Sequence, residues 1–67
     1  MNTYRIMPEG CRWSMIDAST PKIAYMIVCS LYNPRTRIAV QDAFTGETKI
    51  FTRIIDAAGN LVEVVEH

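Results

Sequence analysis

The sequence predicts an all-β fold: an antiparallel meander of five to six short strands, closed into a small SH3-like barrel or left as a curled open sheet. Three observations carry this. Residues 23–32 are almost all apolar and include the β-formers Ile23, Tyr25, Ile27, Val28 and Tyr32. Beyond them, apolar residues recur at every second position, the period of a strand with one buried face. The three glycines, Gly10, Gly46 and Gly59, all fall in turn signals between these segments.

The chain has 67 residues and reads as a single β domain over 1–67. A chain this short buries only about 60% of the surface that its unfolded form exposes. Disulfides, metals or partner subunits often supply the missing stability. The two cysteines, Cys11 and Cys29, sit among apolar residues and are expected as buried free thiols in a reducing compartment, with one Cys11–Cys29 bridge as the alternative. A structural zinc site wants four closely spaced Cys or His ligands. Only these two cysteines and His67 are on offer, so no metal and no cofactor are expected.

No apolar run approaches the ~20 residues of a membrane helix, and no basic leader precedes an apolar core. A cytoplasmic protein without a membrane partner is expected. Seven basic residues balance seven acidic ones, which disfavours nonspecific nucleic-acid binding and favours self-association. The balance hides a gradient: all seven Lys and Arg lie within residues 1–53, and residues 54–67 carry only acidic charge.

The first hairpin is expected around Met7-Pro8-Glu9-Gly10, with Pro second and Gly fourth as in a type I turn. Tyr4 then faces Trp13, and Ile6 faces Cys11. One face collects Tyr4, Ile6, Cys11, Trp13 and Met15, with Trp13 in the core. Residues 17–22 form a loop.

Two readings compete for residues 23–32. As the central strand, the run is favoured by its β-formers and by the turn signal Asn33-Pro34-Arg35-Thr36 that ends it. As a buried helix, it starts well, with Thr20 as N-cap and Pro21 as first helical residue. The strand is the expected state, pairing Leu31 with Ile38 and Cys29 with Val40.

A loop at residues 45–47 aligns Ile38 with Ile54 and Val40 with Thr52. A two-residue Thr45-Gly46 turn would instead oppose Val40 to Phe51. The last connection, Asp56-Ala57-Ala58-Gly59-Asn60, fits a type I turn followed by a left-handed Gly. It pairs Ile55 with Leu61, Ile54 with Val62 and Arg53 with Glu63, an ion pair worth well under ~1 kcal/mol if exposed.

Both faces of this last hairpin are apolar, Ile50, Ile54, Val62 and Val64 on one side and Phe51, Ile55, Leu61 and Val65 on the other. A half-exposed sheet alternates apolar with polar. Something must therefore cover the second face: barrel closure, the N-terminal hairpin, or another chain.

No catalytic site is expected. A nucleophile needs a neighbouring base, and the only histidine is His67, at a chain end that usually frays. The leading expectation is a non-catalytic protein-interaction module, self-associating as a homo-oligomer. By analogy of size and composition alone, it looks like a small accessory or inhibitor protein of a bacterium or phage. The candidate interaction surface is Arg5, Arg12, Arg35, Arg37, Lys49, Phe51 and Arg53. The alternative is a small β-barrel binding single-stranded nucleic acid, since Lys49, Phe51 and Arg53 alternate on one strand face as an aromatic between two cations. The plainer readings are a core Phe51 and scattered, solvated arginines.

Overall fold

A computed structural model describes residues 1–67. The elements are β1 (Asn2–Pro8), β2 (Ser14–Ala18), α1 (Pro21–Val28), a 3-10 turn (Cys29–Leu31), β3 (Ile38–Asp42), β4 (Thr48–Ile55) and β5 (Leu61–Glu66). All strands join one antiparallel sheet in the order β2-β1-β3-β4-β5. The sheet is open: β2 and β5 are its edges and do not meet, so the curled open sheet is found and the barrel is not.

Residues 23–32 correct the strand reading. Residues 23–31 fall in α1 and the 3-10 turn, the rival state, and Tyr32 is extended. Thr20 is extended (φ −141°, ψ 161°), its Oγ1 accepts the Ile23 N–H at 3.2 Å, and Pro21 opens the first turn. Topology supplies the deciding reason. β2 and β3 flank β1 and are both antiparallel to it, so they run parallel to each other. The chain between them must cross over one face of the sheet, and a helix makes that crossing with its backbone satisfied. Ala24, Tyr25, Val28 and Cys29 form the sheet-facing stripe at helical spacing.

The core lies between α1 and one face of the sheet. Tyr4, Ile6, Ile38, Val40 and Phe51 rise from the strands to meet Ala24, Tyr25 and Cys29. Tyr25 and Phe51 stack with ring centroids 5.3 Å apart. Cys29 is buried as expected. Cys11 is exposed in the β1–β2 loop, and the two thiols are free.

Three registers differ from expectation. In the first hairpin, Tyr4 pairs with Ile16 and Ile6 with Ser14. The turn sits one residue later than expected: the Cys11 N–H donates to the Pro8 carbonyl at 3.1 Å, with Gly10 at φ 74° in the third position. The register moves by an odd number of residues, which exchanges the faces of β2. Ile16 and Ala18 therefore face α1, while Met15 joins Arg5 on the other side and Trp13 is left in the loop.

Between β3 and β4, Ile38 pairs with Phe51 and Val40 with Lys49, neither of the expected alignments. Asp42 sets this. Its Oδ1 accepts the Phe44 and Thr45 N–H groups at 2.8 and 3.0 Å, closing the loop two residues before Gly46.

The last hairpin forms around the expected turn. The Asp56 and Gly59 N–H groups donate within it, Gly59 has φ 87°, and Ile55 pairs with Leu61. A β-bulge between Ile54 and Ile55 then shifts the ladder, so Ile54 opposes Glu63 and Arg53 opposes Val64. The Arg53–Glu63 ion pair is not made.

Candidate interaction surfaces

The strand period sorts the candidate residues onto two faces. Lys49, Phe51 and Arg53 do alternate on one face, as expected, but it is the face that α1 covers. Phe51 is 2% exposed beneath Tyr25 and offers no ring to a base. Lys49 pairs with Glu66 at 3.8 Å.

Arg53 turns toward the end of the helical segment. Its Nη1 donates to the Cys29 carbonyl and its Nη2 to the Tyr32 carbonyl at 3.0 Å. These carbonyls lie at the C-terminal end of the helical segment, the negative end of its dipole, and the Cys29 carbonyl also accepts the Tyr32 N–H at 3.1 Å. The Tyr25 hydroxyl is buried beside this guanidinium with no hydrogen-bond partner. Burial raises its phenol above the ordinary value, and the arginine offsets this only in part. Arg53 is thus a structural cap, a role that neighbours in sequence could not reveal.

No element covers the opposite face. Its centre is Arg5, Met7, Ala39, Gln41 and Ile50, flanked by Met15 on β2 and by Thr52, Ile54 and Val65 on the far strands. Arg5 lies flat on this surface. Its Nη1 donates to Gln41 Oε1 at 3.0 Å, and its guanidinium sits 5.1 Å from the Trp13 ring centroid. Trp13 is 59% exposed rather than core, and Ile50 and Ile54 are 37% and 48% exposed. This face therefore presents an aromatic, a methionine and two isoleucines to solvent. Arg12 is exposed in the neighbouring loop.

At one end of the sheet, Arg35, Arg37 and Arg53 are among the residues lining an open basin of about 590 Å³, together with Asn33, Thr52 and His67. Asn33 shapes the loop, since its Oδ1 accepts the Arg35 N–H at 2.9 Å. His67 is held rather than frayed: its N–H donates to the Ile50 carbonyl at 2.8 Å, and its Nε2 lies 2.6 Å from Thr52 Oγ1. The seven candidate residues thus separate into a covered trio, an arginine on the open face, one in a loop and a pair at the basin.

No group of three His, Cys, Asp or Glu side chains converges to hold a metal ion. No helix is long and apolar enough to cross a membrane. The chain matches no protein-family model, no curated protein and no solved structure.

Proposed function

We propose that the protein is a non-catalytic protein-interaction module that self-associates through the uncovered face of its sheet. One observation carries the reading: α1 buries one face, and the other leaves Trp13, Met15, Ile50 and Ile54 exposed. Two copies stacked face to face would place their sheets about 10 Å apart, with these side chains interleaved. Aromatics, Met and Arg are the residues enriched at interface cores, and Trp13 on Arg5 supplies a preformed anchor. The zero formal net charge sets no long-range repulsion against pairing. Small accessory or inhibitor proteins act by such surfaces, and we place this chain in that class.

The alternative, single-stranded nucleic acid held through Lys49, Phe51 and Arg53, has less support. Its stacking ring is buried, and one of its two cations is spent on carbonyls.

Light scattering coupled to size exclusion, run across a wide dilution series, tests the proposal. Wild type should show twice the 7.6 kDa chain mass when concentrated and return toward 7.6 kDa on dilution. Ile50→Lys should stay at the single-chain mass throughout while keeping its far-ultraviolet spectrum. A strict monomer at the highest concentration removes self-association.

A further inference from the structure

The basin at the end of the open face is unusual in its charge. Arg35, Arg37 and Arg53 are among the residues that line it, and no Asp or Glu is. The one ion pair in the chain, Lys49–Glu66, lies on the helix-covered face, so neither Arg35 nor Arg37 is neutralised by a side chain. Arg53 is fixed in place by the Cys29 and Tyr32 carbonyls. Like charges gathered at one place repel, and a bound anion relieves the repulsion.

The lining narrows the class of anion. Arg35 and Arg37 border it from the loop before β3, while Thr52 borders it from β4 on the open face of the sheet. A carboxylate has two coplanar oxygens, and one guanidinium fork engages both from a single direction. A phosphoryl group has three terminal oxygens and a second negative charge, so it can accept donors arriving from separate elements. The basin is also far larger than a bare phosphoryl group needs, and Ile54 and Ile55 give it an apolar part.

We propose that this basin binds a phosphate monoester of a small organic molecule. Arg35, Arg37 and Thr52 hold the phosphoryl group, Arg53 adds positive charge from the other side of β4 without touching it, and the carbon skeleton lies against the isoleucines. This goes beyond the self-association reading and does not rest on it, although the basin adjoins the same face.

The test is a ¹H–¹⁵N NMR titration at constant ionic strength with three probes: phenyl phosphate, inorganic phosphate and benzoate. Phenyl phosphate should give saturable shifts confined to the amides of residues 33, 35–37, 52–55 and 67. Inorganic phosphate should bind the same amides more weakly, and benzoate more weakly still. The Arg35→Gln/Arg37→Gln double variant should keep its spectrum and bind phenyl phosphate at least about tenfold less tightly. Ile50→Lys should bind as wild type does. The proposal is overturned by shifts that never saturate, by shifts that spread equally to Arg5, Arg12 and Lys49, or by benzoate binding as tightly as phenyl phosphate. Loss of binding in Ile50→Lys alone also overturns it, because the site would then need a second copy of the chain.

Discussion

Replacing Phe51 by Ala decides whether this ring is core or surface. Phe51 is 2% exposed, packed between Ile38 and the Tyr25 ring. Truncating a buried Phe to Ala removes its transfer energy and leaves a cavity, a loss of about 3–5 kcal/mol. At the usual 0.05–0.15 kcal/mol per residue, a domain of this length has a total of only about 3–10 kcal/mol. The variant should therefore sit at or near global unfolding. Phe51→Leu keeps much of the volume but loses the ring stacking, and about 1–2 kcal/mol is expected. Urea melts followed by far-ultraviolet circular dichroism measure both, at one fixed protein concentration because a self-associating chain gains stability by mass action. With a urea slope of about 1 kcal/mol/M, the midpoint should fall by about 3 M or more for Ala and about 1–2 M for Leu. Trp13→Ala is the control, since its ring is mostly solvated and its contact with Arg5 is worth about 0.5–1 kcal/mol. A Phe51→Ala midpoint within about 0.5 M of wild type would refute the packing of α1 on β4.

Two further predictions rest on single interactions. Arg53→Met keeps the aliphatic stem but leaves the Cys29 and Tyr32 carbonyls without their charged donor. A loss of about 2–3 kcal/mol follows, and the melting temperature should fall by about 10–20 °C. An unchanged melting temperature would show that the guanidinium does not cap the helical segment. The pH profile of stability should fall at both ends. Asp42 is held below the ordinary carboxylate value by the Thr45 and Phe44 N–H groups, and Asp56 chiefly by the Asn60 N–H. Their contribution is present above about pH 4 and is lost as pH falls through the lowered values. Tyr25 is raised by burial, so its contribution holds below about pH 10 and declines as pH rises beyond it. Urea midpoints between pH 2.5 and 11 should trace this plateau. The acid arm should flatten in Asp42→Asn/Asp56→Asn, and an acid arm as steep as wild type in that variant would remove the role of the two loops.

Much of the fold is written in local chemistry. The turn at residues 56–60 is legible because Asp, two small residues, Gly and Asn meet one hairpin geometry, and Ile55 opposite Leu61 follows from it. The registers are less legible because each hangs on one local feature: the Asp42 side chain closing its loop, the bulge between Ile54 and Ile55, the displaced turn at Gly10. A shift by an odd number of residues exchanges the two faces of a strand, and this moved Trp13 and Met15 out of the expected core. The candidate site shows the same division. The Lys49, Phe51 and Arg53 alternation is real, but which face it occupies depends on where α1 lies. The basin brings together residues 33–37, 52–55 and 67, which are distant in sequence, and no spacing rule joins them.

The sequence by itself determined that this is a small antiparallel β protein, with turns at its glycines and no run long enough to cross a membrane. Those properties depend on residue type, period and backbone freedom, which act over a few residues. The tertiary structure decided that residues 23–31 are helical. An apolar run satisfies either a strand or a helix, and here the crossing from β2 to β3 and the need to cover one sheet face select the helix. The same choice leaves the other face of the sheet open to solvent, because one short helix can bury only the side on which it lies.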